Sequence, residues 1–369
     1  MSPLRILVTG ASGLLGAEVV SRLAADGHMV YALLHSTPGI VRNNGRRVPM
    51  EAAEDLRPGS VASLRGDITQ PRLGLSGRHY DLLRGRLDRI VHSAALTDFG
   101  LDWDAYELRN VTSTRHVLQL AGDGDRGPIP LVHISTAYVC GERNGIVRES
   151  ELAVGQSFGT LYEKSKYEAE LAVQEAASQG MPIAVVRPSI VVGTERTGAI
   201  RDFKNIYVVL KMFTAGRVRS VPGFYDAVLN LVPVDYVAEL ASQVAIRFAD
   251  VAGKTLHAIN GYDHSLLDFS NVLAEYPSFH VPRYVPPSSF SAARLPGDER
   301  LYYERIVGLY ESFFARRASF DDSAARAFLG RSPTVGSHAY LRRLLNYCLR
   351  VGYLGAAGPG IDEVLRELG

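Results

Sequence analysis

Along the first half of the chain, short runs of consecutive apolar residues alternate with longer stretches whose apolar positions recur every three or four residues. The short runs fall at 4–9, 29–34, 61–65, 89–92, 130–135 and 182–187. Uninterrupted apolar character marks strands buried on both faces, as in a parallel sheet covered by helices. The periodic stretches, at about 14–25, 103–121 and 159–179, predict amphipathic helices. Such alternation is the pattern of βαβ units, so the predicted fold class is α/β, a doubly wound Rossmann-type parallel sheet.

Past Pro188 the alternation loosens. One helical stretch is expected near 203–214, strands at 229–233 and 254–259, and a helix from 234 to about 248 between them. From Gly261 onward the pattern is helical and aromatic-rich, broken by the connector "YVPPSSF" at 284–290. This divides the chain into a dinucleotide-binding domain of residues 1–192 and 229–260 and a smaller, mostly helical substrate-binding lobe of residues 193–228 and 261–369. The lobe is expected over the C-terminal ends of the strands.

The chemistry begins where the first strand ends. Gly10-Ala11-Ser12-Gly13-Leu14-Leu15-Gly16 stands directly between a buried strand and an amphipathic helix. Glycines there allow a tight turn, close approach of backbone to a pyrophosphate and close helix–strand packing, and the helix start offers unpaired N–H groups to the anion. A Gly-rich surface turn is the bland alternative, and the position after the first strand argues against it. The second strand ends near His35, where a carboxylate would meet the ribose hydroxyls of NAD. No Asp or Glu occurs between Gly27 and Met50, and His35, Arg42, Arg46 and Arg47 stand there instead. Guanidinium groups suit a 2′-phosphate, so NADPH is expected over NADH, the alternative being a solvated loop with incidental arginines. Asp67-Ile68 after the third strand is placed to meet the adenine.

Tyr162 and Lys166 lie four residues apart, on one face of a helix. An ammonium beside a phenol lowers its pKa, so Tyr162 could protonate a carbonyl oxygen as hydride arrives. Alone, a tyrosine four residues before a lysine is common by chance and usually marks a solvated helix face. Upstream, "HISTAYVCG" puts Ser135 and Thr136 at the end of a strand, where a hydroxyl can hold a developing oxyanion. Strand C-terminal ends face the ligand crevice of a doubly wound sheet, so Thr136 and the Tyr162 helix can converge.

With "VTGASGLLG", "VHSAAL", Asn110 in "NVTST", "STAYVCG", "YEKSK" and "RPSIVVG" in order, the chain resembles the extended short-chain dehydrogenases/reductases. Within them, "STAYVCG", "RPSIVVGTERTG" and "LNLVPVDYVAELA" are similar to the branch of fatty acyl-CoA reductases and thioester-reductase domains. The resemblance covers about residues 4–260. It implies Thr136, Tyr162 and Lys166 as catalytic triad, and Gly10, Gly13, Leu14, Leu15, Gly16, Asp67, Ile68, Ala94, Ala95, Asn110, Pro188, Ser189 and Ile190 as cofactor lining. It also implies NADPH-dependent reduction of a carbonyl or of an acyl thioester, with aldehyde or, after a second hydride, alcohol as the end product. The branch commonly has Arg where His35 stands, and no adenylation or carrier segment accompanies these motifs, so an acyl carrier protein or CoA would bring the thioester in trans. The alternatives are a ketone or hydroxyl dehydrogenase, a nucleotide-sugar epimerase, or a cofactor-binding regulatory protein without turnover. The last has no need of all three triad residues.

Composition narrows the classes further. A net charge of +1 gives no electrostatic case for nucleic acid or anionic membrane. No apolar run is long enough to span a bilayer, and the run at 4–8 is too short for a signal peptide. Cys140 and Cys348 make no disulfide framework and no metal spacing, so no metal and a cytoplasmic, monomeric or homodimeric enzyme are expected. His92 and His133 read as packed, hydrogen-bonded core histidines and Trp103 as packing. Tyr302, Tyr303, Tyr310, Phe313 and Phe314 read as core, with an apolar substrate channel as the alternative.

Overall fold

A computed structural model describes residues 2–333 and 335–355; residues 356–369 of the expected lobe lie outside them. Elements in chain order are β1 (Arg5–Thr9), α1 (Leu14–Ala25), β2 (Met29–Leu34), β3 (Val61–Arg65), α2 (Gly77–Arg86), β4 (Arg89–His92), α3 (Trp103–Tyr106), α4 (Ser113–Gly122), β5 (Leu131–Ile134), β6 (Gly145–Val147), α5 (Leu161–Ser178) and β7 (Ile183–Pro188). There follow β8 (Ile190–Val192), α6 (Ile206–Thr214), β9 (Ser220–Pro222), β10 (Val228–Pro233), α7 (Val234–Ile246), β11 (Thr255–Ala258), β12 (Asp263–Ser265), α8 (Leu266–Leu273), β13 (Arg283–Val285), α9 (Gly297–Arg305), β14 (Ala318–Phe320), α10 (Ser323–Leu329) and α11 (Ser337–Arg350).

Seven strands form one parallel sheet in the order β11-β7-β5-β4-β1-β2-β3. The chain runs outward from β1 through β2 and β3, then returns to the other side of β1 as β4. The switch point between β1 and β4 opens a crevice at their C-terminal ends, which is where ligands bind in such sheets. Period-two alternation sends neighbours to opposite faces: Ile6 and Val8 join a core with Val19 and Tyr236, while Leu7 joins one with Tyr80 and Val117.

Four features depart from the sequence reading. Helix α2 was not foreseen, because it buries only Tyr80 and Leu83 and carries glycines at 77 and 85. The expected helix at 103–121 is broken by a π-helical turn over Glu107–Thr112. The region after Gly261 is less helical than expected, with β12, β13 and β14 each three residues long. These strands pair far along the chain, β13 with β9 and β14 with β6, so no local period announces them. The expected strand at 229–233 appears as β10, in a separate three-stranded sheet with β8 and β12. A third core, aromatic-rich, fills this upper layer and contains Phe213, Phe269, Tyr302, Tyr303, Tyr310, Phe313, Phe314 and Tyr340.

Candidate active site

The crevice at the switch point continues into a cleft of about 420 Å³ between the sheet and the upper layer. At its sheet end lie Gly10, Gly13, Leu14, Leu15 and Gly16. A Cβ on Gly16 would sit 2.1 Å from the Gly10 carbonyl oxygen, and one on Gly10 would sit 2.6 Å from the Ala94 nitrogen. Gly10 also has φ +67°, so only glycine holds this turn without strain. No side chain caps α1 at Gly13 and no acid stands in its first turn, which leaves its N–H groups for an anion. The residues present therefore fit a dinucleotide pyrophosphate. Ser12 lies in the same turn, its carbonyl accepting from Arg201 Nη2 at 3.1 Å.

Thr160 caps α5, accepting from the Glu163 N–H at 3.2 Å, and so fixes the first turn that carries Tyr162. Tyr162, Lys166 and Thr136 all line the cleft, beside Ala95, Pro188, Ser189 and Ile190. Of the two hydroxyls after β5, Ser135 donates to Glu170 Oε2 at 2.5 Å, while Thr136 donates to the Pro188 carbonyl at 3.2 Å and stands next to Tyr162. Burial raises the Tyr162 phenol above its ordinary value, and the neighbouring Thr136 hydroxyl opposes the rise. Tyr162 is therefore a protonated acid at neutral pH. Burial pushes Lys166 down to about 8, against the pull of the Glu170 carboxylate, and its ammonium donates to the Ile134 carbonyl at 3.0 Å.

Asn110 has a different place from the one expected. It does not line the cleft. The π-helical turn directs it beneath the segment after β4, where Nδ2 donates to the Leu96 carbonyl at 3.1 Å and to Ser165 Oγ at 2.8 Å, and Oδ1 accepts from the Leu96 N–H at 2.7 Å. It thus ties the switch-point segment to α5. Arg42 is also engaged elsewhere: Nη2 meets Glu18 Oε2 at 2.7 Å, because that buried carboxylate also anchors the Asn43 N–H and needs a cation. His35 is exposed at the tip of β2, 3.8 Å from Asp67, and its carbonyl accepts from Arg65 at 2.8 Å. Asp67 Oδ1 accepts from the Thr69 N–H and hydroxyl; burial opposes them, but these bonds hold the carboxyl below its usual range. The Ile68 carbonyl contacts His116 Nδ1 at 2.9 Å.

His92 is buried and bonded to Thr9 at 2.7 Å and Thr114 at 3.1 Å, as a core histidine should be. His133 is equally buried, but neither of its ring nitrogens has a hydrogen-bond partner. Trp103 packs under Lys164, 4.3 Å from ring centre to ammonium. Both cysteines are free and buried. Among the described residues no cluster of three metal-binding side chains occurs, and no helix is long and apolar enough to cross a membrane.

In the segment between β4 and α3 the sequence points to Ala94 and Ala95 but not to Phe99 and Asp98. Phe99 stacks between Tyr162 and Tyr310, with ring centres 5.5 and 4.9 Å away, and Asp98 pairs with Lys204 at 2.6 Å across the cleft. Neither belongs to a periodic element or a motif. The aromatic residues expected as core are core, and Tyr310, Phe313 and Phe314 line the cleft as well.

Residues 8–241 match the NAD-binding family described as male sterility protein. A linear gramicidin synthase chain from Brevibacillus parabrevis is 26% identical over 294 residues, which are 75% of this chain and 6% of that protein. The L-2-aminoadipate reductase large subunit of Penicillium chrysogenum is 26% identical over 310 residues, 77% of this chain and 21% of that protein. The chain spans about a fifth or less of the length of these relatives. Among solved structures, the terminal R domain from the myxalamid PKS-NRPS biosynthetic pathway superposes with a TM-score of 0.79 at 26% identity, over 98% of this chain and 94% of that one. A UDP-galactose 4-epimerase shares the fold at a TM-score of 0.63 and 19% identity, over 94% of this chain and 99% of that one.

Proposed function

The chain belongs to the male sterility protein family, a reductase branch of the extended short-chain dehydrogenases/reductases, and from that premise we propose that it is an NADPH-dependent acyl-thioester reductase. That it is an NAD(P)-dependent oxidoreductase follows from the family. The proposal concerns the substrate and the phosphate on the cofactor. The observation that carries it is the cleft itself, with Thr136, Tyr162 and Lys166 between a glycine cradle and walls of Leu210, Phe213, Phe269 and Phe314. The relatives named as reductases and as the R domain of a synthetase support a substrate tethered to a carrier.

The nicotinamide cofactor, when bound, supplies the hydride. Gly10, Gly13 and Gly16 take the pyrophosphate against the start of α1. Tyr162 gives its proton to the carbonyl oxygen as the carbon accepts hydride, and Thr136 holds that oxygen. Lys166, one helical turn from Tyr162 and lining the same cleft, supplies the positive charge that favours the phenolate left once the proton has gone. The product of this step is a thiohemiacetal, whose C–S bond breaks to release aldehyde and free thiol. A thioester carbonyl is electrophilic enough for this without ATP or metal, whereas a free carboxylate is not.

The test follows absorbance of the reduced nicotinamide with panels of acyl-CoA, acyl-carrier protein, aldehyde, ketone and nucleotide sugar. Oxidation of NADPH with an acyl thioester is expected, and free carboxylates should be inert. Turnover confined to ketones removes the thioester reading, and isomerisation of a nucleotide sugar without net NADPH loss replaces it with an epimerase.

A further inference from the structure

One wall of the cleft is shared with a second, smaller hollow. Helix α6 presents Ile206 and Leu210 one turn apart, and α8 presents Phe269 and Leu273 at the same spacing; with Tyr207 they line both spaces. Behind them, Val272, Leu341, Leu344 and Leu345 close off about 10 Å³, room for a single water, with α11 at the back. Tyr207 is the wall's one side chain with a polar atom, and its hydroxyl is taken by the Gly193 N–H at 2.9 Å. A hollow so lined stays dry, so nothing ordered has to be displaced to fill it.

We infer that Leu210, Phe269 and Leu273 set the length of the acyl chain the cleft accepts, and that the hollow is a latent extension of it. The inference rests on the acyl-thioester reading above. The cleft has a polar rim at Asp98 and Lys204, which pair with each other, and an apolar wall at Val209, Leu210, Phe213, Leu229 and Phe314. An acyl chain whose carbonyl is held at Thr136 and Tyr162 gains by lying along the apolar wall. Each methylene buried along it adds about fourfold in affinity. The gain stops when the chain end meets the Phe269 ring, since a further methylene must push that ring or fold back. Elsewhere such a wall would be backed by solid packing. Here a hollow of about 10 Å³ lies behind it, so truncating one wall residue joins that space to the volume the residue itself vacates.

The experiment compares wild type, Phe269→Ala and Leu210→Ala on straight-chain acyl N-acetylcysteamine thioesters of increasing length. In parallel, calorimetry follows straight-chain fatty alcohols binding to enzyme saturated with NADP+, which needs no turnover. Both alanine variants should move the optimum to longer chains, with the ratio of long-chain to short-chain binding raised about tenfold or more. Phe269→Leu, a milder change, should shift it less in the same direction. Adding Leu345→Phe to Phe269→Ala fills the hollow and should return the optimum to its wild-type length. An optimum unmoved in the alanine variants overturns the inference, as does a shift that survives Leu345→Phe, or alcohols that fail to bind at any length. A moved binding optimum with no thioester turnover leaves the wall standing and removes the function reading; thioester turnover with an unmoved optimum does the reverse.

Discussion

In the seven-stranded sheet, successive residues of β1 enter two different cores, and every strand is secured by parallel pairing with its neighbours. In the layer above, three-residue strands carry little of the load, and aromatic contacts and buried polar pairs take their place. Arg316 is the clearest example. It is 4% exposed, reaches Glu163 Oε1 on α5 at 2.7 Å, and lies over the rings of Phe313 and Tyr138. A regular ladder spreads its stability over many bonds, whereas an irregular layer concentrates it in a few side chains. The cofactor half should therefore tolerate single changes that the substrate half does not.

The largest effect expected from this difference is at Arg316. Arg316→Met keeps most of the volume but leaves the fully buried Glu163 carboxylate without its cation, a loss of about 3–5 kcal/mol. Urea denaturation should record it, and adding Glu163→Gln should restore much of it. An unchanged midpoint would mean that the upper layer is held on α5 by its aromatic packing alone.

Next in size is the chemistry where the two regions meet. Tyr162→Phe should lower kcat by at least about a hundredfold, since it removes the proton donor, while NADPH affinity stays close to wild type. Lys166→Ala should harm both. With Lys166 at about 8, its ammonium is present below that pH and lost above it, so kcat/KM should fall as pH rises through about 8. A pH profile flat to about 9.5 would show that bound cofactor raises the Lys166 pKa well above this value.

The comparison also explains what the sequence could disclose. The strands of the main sheet were legible to within a residue or so because their signals are local: an apolar run, then a turn. The glycine turn and the Tyr162/Lys166 face were legible for the same reason, as short spacings with a chemical meaning. Phe99, Asp98, Lys204 and Arg316 were not, because their partners are far away in the chain and no period links them. Asn110 rests on the resemblance alone, and its bonds to Leu96 and Ser165 could not be read from any local period. The pairing of Arg42 with Glu18 was equally out of reach, because the two stand in different segments of the chain with no period between them.

Acid should act on the sheet half first. Burial lowers His92 to about 3 and His257 to about 4, and it lowers His133 as well. All three lie on strands of the main sheet. Their folded pKa values lie below the unfolded value of 6.5, so the unfolded chain binds more protons as pH falls below 6.5 and stability is lost from there toward pH 4. For His92 alone the loss at pH 5 is about 2 kcal/mol. Urea midpoints measured from pH 7 to 5 should fall accordingly, and His92→Gln should flatten part of the slope. An acid slope that His92→Gln leaves unchanged would move the sensitivity to other groups.

The smallest expected effect concerns the cofactor's 2′-phosphate, at the edge of the sheet half. With Arg42 held by Glu18, the exposed arginines left in the segment after β2 and at the end of β3 are Arg46, Arg47 and Arg65. No carboxylate stands on the chain between Gly27 and Met50 to repel a phosphate or to claim a ribose diol, although Asp67 lies 3.8 Å from His35. Exposed charges interact weakly, so NADPH should bind only about tenfold more tightly than NADH. The gap should narrow in high salt, where the screening length falls from about 8 Å to about 3 Å. Arg46→Ala, Arg47→Ala and Arg65→Ala should each erode the preference, and whichever erodes it most identifies the phosphate contact. Arg42→Ala should leave the preference intact and instead loosen the turn that Glu18 anchors through Asn43. If Arg42→Ala alone abolishes the preference, Glu18 releases its arginine when the cofactor binds. Equal affinities for the two cofactors would place all three arginines in solvent and return the edge of the sheet to a purely structural role.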